Sequence, residues 1–168
     1  MQMSSLKDSF LNYCTKNSYE KNLNQLMIID FLIDFLDPKL KFLNLFSKKK
    51  NKKCFYLYGG VGVGKTMILN FVYDFLYIPK QRLHFNEFMI NFHNYRYKNK
   101  KKDNSIIAFV KNLKKYKLIY LDEFQVTNIV DAMILGKLFE TIFNEGIKLI
   151  LTSNIKPDDL YKDGLQRE

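Results

Sequence analysis

Several residue types are scarce in this sequence, and each scarcity excludes a class of protein. The chain has two cysteines, Cys14 and Cys54, which lie far apart and form no C-x-x-C pair, so neither a disulfide framework nor a cysteine zinc site is expected. Two histidines, His84 and His93, are too few for a typical histidine zinc site. Cys54 lies in an apolar run and is expected to face the core, which suits a reducing compartment.

Long apolar runs and targeting features are also missing. No apolar stretch reaches about 18 residues without a charge, so no transmembrane span is expected. The first ten residues have no apolar core, include Asp8 and contain no arginine, which is unlike a secretory signal or a transit peptide. A cytoplasmic protein is therefore expected.

Arginine is nearly absent, although the chain is strongly basic. The formal net charge is +10, and the basic residues are 24 lysines and 3 arginines. Such a charge favours nucleic acid or another polyanion as a partner. Arginine is the better phosphate ligand, however, and A/T-rich codons would produce the same excess of Lys, Asn, Ile, Phe and Tyr. Charge alone therefore does not predict a nucleic-acid partner.

What the sequence does contain is a glycine-rich motif at residues 59–66 that fits the P-loop pattern G-x-x-x-x-G-K-[ST]. The apolar run Cys54–Tyr58 before it predicts a buried strand, and the helical spacing of apolar residues over 67–77 predicts a helix after it. Strand, glycine loop and helix are the context that this motif requires. Its residues are Gly59, Gly60, Val61, Gly62, Val63, Gly64, Lys65 and Thr66.

These residue types suit a nucleoside triphosphate. Glycines bring successive backbone N–H groups close to a polyphosphate, and a helix that begins near Gly64 directs its positive end at the same charge. Lys65 is expected to reach the β- and γ-phosphates, and the Thr66 hydroxyl is expected to bind Mg²⁺. A nucleoside triphosphate with Mg²⁺ is therefore the expected ligand.

A second motif ends a predicted strand further along the chain. The apolar residues 118–121 lead into Asp122 and Glu123, as in a Walker B motif. Open α/β sheets bind ligands at the carboxyl ends of their strands, where both carboxylates would lie. Asp122 is expected to hold Mg²⁺, usually through water, beside Thr66. Glu123 is expected to orient or deprotonate the attacking water, and an ordinary strand end is the alternative interpretation.

A third polar group, Thr152-Ser153-Asn154, follows the strand predicted at residues 147–151. A polar side chain here, on the strand next to the Walker B strand, can contact the γ-phosphate or its water. An ordinary turn is the alternative, because serine and asparagine favour turns.

The predicted strands at 54–58, 82–85, 118–122 and 147–151 alternate with helices. This alternation predicts an α/β fold, a doubly wound parallel P-loop sheet. Residues 1–50 are predicted to form an N-terminal helical segment with a basic linker, and residues 51–168 to form the P-loop core. Ser105 is expected to cap a helix, and Gly146 to follow the end of another. Two sets of apolar residues are expected to form helix faces. In the N-terminal segment they are Leu23, Leu26, Met27, Phe31, Ile33, Phe35 and Leu36. In the helix predicted at 132–144 the residues expected to face inward are Met133, Ile134, Leu138, Phe139, Ile142 and Phe143.

The sequence around these motifs closely resembles one family. The strings that carry the resemblance are LDEFQVTNIVDAMIL at 121–135, RLHFNEFM at 82–89 and TSN at 152–154. They resemble the ZapE-like AAA+ ATPases of bacterial cell division, whose mitochondrial relatives are the ATPase-family-gene-one proteins. The resemblance runs from about residue 13 to the last residue, and the string at 121–135 is far more specific than either Walker motif.

The resemblance implies an AAA+ core with strand order 5-1-4-3-2 that hydrolyses ATP. It implies that Asn154 is the sensor 1 residue and that Arg167, in the string GLQR, is an arginine finger acting on a neighbouring subunit, so a homo-oligomer is expected. The implied partners are the division protein FtsZ in bacteria or inner-membrane proteins in mitochondria. Asn86 and Asn128 stand where the family has His and Asp, and these departures concern partner contacts more than ATP binding.

Family members continue past the GLQR string into a fifth strand and a helical lid, whereas this sequence ends at Glu168. The fifth strand and the lid are therefore expected to be absent, which would leave the first strand at an open edge. Two other functions stay open. One is a nucleotide-binding interaction module that does not hydrolyse ATP. The other is an ATPase that binds single-stranded nucleic acid through the lysines at 98–102, as helicase loaders do, although the string at 121–135 counts against it.

Overall fold

The structure is a computed structural model, and it describes residues 4–20, 22–36, 52–99 and 104–160. The helices are α1 Ser4–Lys16, α2 Leu23–Leu36, α3 Lys65–Phe75, α4 Phe85–Lys98, α5 Ser105–Leu113 and α6 Ile129–Asn144. The strands are β1 Cys54–Tyr58, β2 Lys80–His84, β3 Leu118–Asp122 and β4 Lys148–Ser153, and a 3-10 turn spans Pro157–Asp159. The end of the helical segment predicted at 1–50, with most of its basic linker, and three of the four lysines at 98–102 lie outside the described residues.

The chain divides into two compact units. The first comprises Met1–Phe55 and Gly64–Tyr77, and the second comprises Tyr56–Val63 and Ile78–Glu168. The P-loop motif is thus shared, with residues 59–63 in the second unit and residues 64–66 in the first. The domain boundary expected near residue 50 stays a prediction.

The described strands form a four-stranded sheet in the order β1-β4-β3-β2, and most of this sheet belongs to the second unit. Both β2 and β4 pair with β3 in parallel. The register places His84 beside Asp122 and Leu121 beside Leu151, so the strands that follow the P-loop end at one edge of the sheet. The predicted α/β fold is confirmed, and the strand order agrees with the 1-4-3-2 part of the expected series.

Helices α4, α5 and α6 cover one face of this sheet. Ile119 and Leu121 from β3 and Leu149 and Leu151 from β4 belong to one buried cluster with residues of these helices. Every residue of β3 is buried, which is the pattern of a central strand covered on both faces. Phe109 of α5 adds aromatic contacts across the helices, and its ring centroid lies 5.2–5.8 Å from those of Phe88, Phe92 and Tyr95.

The first unit is organised around α1. This helix packs on α2 and on α3. The ring centroid of Phe71, on α3, lies 5.2 Å from those of Phe10 and Tyr13. Lys7 and Asp30 add an exposed ion pair of 2.7 Å between α1 and α2. The helix that follows the P-loop is therefore held by aromatic contacts with the N-terminal helix.

The apolar face predicted for α2 is correct at Phe35 and wrong at three other residues. Leu23, Met27 and Phe31 are 78%, 55% and 54% exposed. The apolar residues are spread around the whole helix, so their spacing does not identify the covered side. The residues that α2 buries are Ile29, Leu32 and Phe35.

Three smaller predictions were also wrong. Cys54 is exposed, whereas Cys14 is buried. Met133 is 68% exposed, because α6 turns that side away from the sheet. Ser105 is the first helical residue of α5, and the N-cap position belongs to Asn104, which makes no side-chain capping bond.

Asn128 has a local role at the start of α6. Its side chain accepts a bond of 2.8 Å from the Asp131 backbone N–H and donates one of 2.9 Å to the Asp131 carboxylate. The His93 ring lies 2.7 Å from the same carboxylate and links α4 to α6. Asparagine and aspartate are equally good N-caps, so helix initiation explains either residue here. Gly146, at φ 74°, follows α6 as predicted.

None of the described helices is both long and apolar enough to cross a bilayer.

Candidate active site

Asp122 lies at the carboxyl end of β3, where the apolar strand gives way to polar residues. It is only 6% exposed, so its carboxylate needs partners within the protein. Oδ1 accepts bonds from the Thr152 hydroxyl and, at 3.2 Å, from the Glu123 backbone N–H. Oδ2 lies 2.6 Å from Nη2 of Arg82, on the neighbouring strand β2. Three donors therefore hold the carboxylate in one orientation.

The charge of Asp122 is stabilised by these contacts. Burial would raise the pKa of Asp122, but the hydrogen bonds from Thr152 and Arg82 and the positive charge of Arg82 outweigh it and lower the pKa below its usual value. Burial also raises the pKa of the Tyr120 hydroxyl, on the same face of β3. The group at this position is thus a carboxylate at neutral pH, as a Mg²⁺ ligand must be.

Glu123 adopts an unusual backbone conformation. Its φ is 54°, in the left-handed region that few residues other than glycine occupy. Its N–H is directed towards Asp122 and also lies 3.3 Å from the Thr152 hydroxyl. The Glu123 side chain is 75% exposed, and its Oε2 lies 3.7 Å from Nδ1 of His84. The backbone is fixed, whereas the carboxylate reaches into solvent.

The chain beyond Glu123 is fastened to the end of β4. The Phe124 N–H donates to the Thr152 carbonyl at 2.6 Å, and the Ser153 hydroxyl donates to the Phe124 carbonyl at 2.6 Å. Ser153 also accepts a bond of 3.0 Å from the Ile155 N–H. Thr152 and Ser153 are both buried, so these polar residues fix the position of the segment after the Walker B motif.

A small pocket opens between these two segments. Its volume is about 140 Å³, which holds several water molecules. Glu123 and Asn154, predicted from sequence as catalytic residues, both line it, together with Phe124, Gln125, Ser153 and Ile155. The fold therefore brings Asp122, Glu123 and Asn154 together at one edge of the sheet.

The first part of the P-loop lies in the same unit. The Gly59 N–H donates to the Ser153 carbonyl at 3.2 Å, so the loop begins beside the end of β4. Val61 is 87% exposed, and Gly62 has φ 82°. A side chain at Gly60 would meet nothing within 4 Å. This part of the loop is open to a ligand.

The second part of the P-loop begins α3, in the first unit. Gly64 is the N-cap, with φ 86°, and Lys65 and Thr66 are the first helical residues. A Cβ at Gly64 would lie 2.8 Å from the amide nitrogen of Gln25, on α2. The backbone angle favours glycine at this position, whereas the end of the flexible Gln25 side chain could shift to make room.

The residues at the end of β3 fit a divalent cation that arrives with a nucleotide. A carboxylate offers about four lone-pair sites, and three at Asp122 already accept bonds. The remaining site is on Oδ2, the oxygen that Arg82 also binds, and a metal-bound water would have to use it. The described residues include no group of three or more His, Cys, Asp or Glu placed to hold a metal. Nucleotide phosphates would have to supply the other ligands.

Sequence reasoning missed two residues of the site, namely Arg82 and Thr152 as partners of Asp122. Arg82 had a usable signal, because it is one of only three arginines and stands within a predicted strand. Arg167 lies outside the described residues.

A family model and individual relatives that match this sequence agree on one family. A sequence model described as "AFG1-like ATPase" matches residues 9–168. "Lactation elevated protein 1 homolog B" of Danio rerio is 40% identical over 134 residues, covering 72% of this chain and 27% of the relative. "Cell division protein ZapE" of Escherichia coli K12 is 41% identical over 116 residues, covering 67% of this chain and 30% of the relative. The chain thus spans about a third or less of these relatives.

Solved structures share the fold at lower identity. The DnaC helicase loader matches with a TM-score of 0.55 and 19% identity, covering 90% of this chain and 77% of that one. DnaI matches with a TM-score of 0.54 and 20% identity, covering 88% and 78%. At this identity the likeness concerns the fold alone. The family match covers nearly the whole sequence, and on that ground this chain belongs to the AFG1-like ATPase family.

Proposed function

We propose that the chain binds ATP with Mg²⁺ through residues 59–66 and hydrolyses it. The observation that carries this proposal is the buried, three-fold hydrogen-bonded carboxylate of Asp122 beside a pocket lined by Glu123 and Asn154. A carboxylate so placed can orient a metal-bound water, and its neighbour can act on the attacking water. Family membership supports the same activity.

In this proposal each residue has one task. The loop N–H groups and Lys65 bind the phosphates, while Thr66 and Asp122 hold Mg²⁺, which neutralises charge that develops on the phosphates. Glu123 orients or deprotonates water, and Asn154 positions the γ-phosphate or that water.

Two substitutions separate binding from chemistry. Lys65→Ala should weaken ATP binding about 10- to 100-fold, because a charge-assisted bond is lost. Glu123→Gln should retain ATP binding and abolish phosphate release. Lys137→Ala and Glu140→Gln are matched controls, since these residues form an exposed ion pair with each other on α6. Calorimetry and a phosphate-release assay on each variant test the proposal, and unchanged hydrolysis in either site variant would contradict it.

A second candidate is an interaction module that binds ATP without hydrolysing it. The weakly held Glu123 carboxylate favours this second function, since its side chain is 75% exposed and its Oε2 lies 3.7 Å from the His84 ring. Tight ATP binding by the unsubstituted chain without phosphate release would select this candidate over the first.

We further propose that the protein works as a homo-oligomer on a protein partner. The E. coli relative is named for cell division, so a division protein such as FtsZ is one candidate, and an inner-membrane protein is the other. Arg167 would act on the site of a neighbouring subunit. Mixing Arg167→Ala with Lys65→Ala chains should then restore hydrolysis, because one chain supplies the site and the other the arginine. A mixture as inactive as its components would contradict action in trans.

A cytoplasmic location is part of the same proposal, and cell fractionation tests it.

A further inference from the structure

Arg82 has no task in the proposed reaction, yet it is the strongest charged contact of Asp122. It lies in the middle of β2, on the strand beside the Walker B motif. Its Nη2 is 2.6 Å from Asp122 Oδ2, and its guanidinium carbon is 4.8 Å from the centre of the Tyr120 ring. A charge-assisted bond and a cation–π contact therefore fix the guanidinium next to the carboxylate.

The position of Arg82 conflicts with that of a metal. Oδ1 of Asp122 already accepts from Thr152 and from the Glu123 N–H, so a metal-bound water must use Oδ2. Arg82 binds that same oxygen. Two cations facing one oxygen repel each other strongly in a buried site, where water screens them poorly.

Exposure indicates which group can move. The Arg82 side chain is 33% exposed, whereas that of Asp122 is 9% exposed. A long arginine side chain with an opening to solvent can turn outwards, but the carboxylate at the strand end cannot. The Tyr120 hydroxyl is buried and forms no hydrogen bond of normal geometry with a described residue, although Thr152 and Asp122 lie close enough to influence it. It is a spare donor beside the carboxylate that Arg82 would leave.

We propose that Arg82 is the resident counter-ion of Asp122 in the nucleotide-free protein, and that Mg²⁺ arriving with the nucleotide competes with it for Oδ2. Arg82 is then a positioning residue that sets how tightly the site holds the metal. It preserves the charge and orientation of Asp122 between turnovers. Because it competes for Oδ2, it also weakens Mg²⁺ binding. This inference rests on the proposed binding of nucleotide with Mg²⁺.

The test is a titration with Mg²⁺ at saturating ADP. At each Mg²⁺ concentration the readout is the thermal unfolding temperature of the full chain. With Arg82→Gln, the half-saturating Mg²⁺ concentration should fall at least about fivefold, which is the low end of coupling between competing ligands. In EDTA the same variant should unfold at a lower temperature than the unsubstituted chain. Arg82→Lys keeps the positive charge, so its half-saturating Mg²⁺ concentration should lie between those of the unsubstituted chain and Arg82→Gln. Arg96→Gln is the matched control, because Arg96 packs over the Phe92 ring on α4, and it should leave the Mg²⁺ midpoint unchanged.

A double substitution tests the charge pair without metal. In EDTA, Arg82→Gln with Asp122→Asn should be more stable than Arg82→Gln alone, since no unpaired carboxylate stays buried. Loss of stability without this recovery overturns the counter-ion role. An equal or higher Mg²⁺ midpoint in Arg82→Gln overturns the competition but leaves nucleotide binding intact. Failure of ADP and Mg²⁺ to stabilise the unsubstituted chain contradicts the proposed function, and this inference with it.

Discussion

The two sides of the proposed site within the second unit differ in how far the protein fixes them in advance. Asp122 is 6% exposed and held by three donors, whereas Val61 in the P-loop is 87% exposed. A buried charge needs its partners in every state of the protein, because leaving it unpaired is costly. Backbone N–H groups of an exposed loop can bond to water until a ligand replaces it. Folding therefore fixes the carboxylate, whereas Val61 and its neighbours in the loop stay exposed to solvent.

The substitution with the largest expected effect on this contrast is Asp122→Ala. It should lower the free energy of unfolding by about 2–3 kcal/mol, because the Thr152 hydroxyl and the Glu123 N–H lose their buried acceptor and Arg82 loses its ion pair. Val61→Ala, in the exposed part of the loop, should change that free energy by no more than about 0.5 kcal/mol. Urea unfolding followed by circular dichroism measures both, and Asp122→Asn controls for shape. Equal losses at Asp122 and Val61 would break the contrast.

Gly62→Ala, within the loop, is expected to cause a smaller loss of unfolding free energy. Its φ of 82° requires the left-handed region, which costs an alanine about 1–2 kcal/mol. Gly60→Ala is the matched control, since its Cβ would meet nothing within 4 Å, and its stability should change by no more than about 0.5 kcal/mol. The same unfolding assay applies, and a larger loss at Gly60 would show that the loop is packed rather than open.

Lowering the pH should produce the smallest of the three changes in stability. Although burial acts to raise the pKa of Asp122, the bonds from Thr152 and Arg82 lower it below the model-compound value of 3.8. Its contribution is complete above that value and is lost as the pH falls through the lower folded-state pKa. The stability difference between the unsubstituted chain and Asp122→Asn should therefore shrink below about pH 4. A difference that stays constant on acidification would contradict this assignment.

The parts of the site that local sequence determines could be predicted. Residues 118–121 are all apolar and end at Asp122, so strand, burial and the position of the carboxylate followed from the pattern. The parallel alternation then placed Asn154 at the same edge. The partners of Asp122 could not be predicted, because they depend on which residue of a neighbouring strand faces it. The register of β2 against β3 sets the pairing with Arg82, and no local pattern encodes that register.

In the fold, too, local sequence predicted some features, whereas others depended on contacts between elements. Strands β3 and β4 are short apolar runs and were located within one or two residues. Apolar residues occur on every side of helix α2, so their spacing did not identify the covered face. The predicted set included Phe35, which is buried, but also Leu23, Met27 and Phe31, which are exposed. Likewise, the strand predicted through Phe85 ends at His84 because α4 begins there directly. Tertiary contacts, rather than propensity, decided these cases.

The order of the strands has a consequence for synthesis. β1, at residues 54–58, pairs in the sheet with β4, which is made later than the other three described strands. On the ribosome, the strand that leads into the P-loop must wait for about 90 further residues before this neighbour exists, a long closure for two strands. β2 and β3 are separated by a much shorter stretch and can pair earlier. The strand pair around Asp122 can thus form before β1 acquires its neighbour.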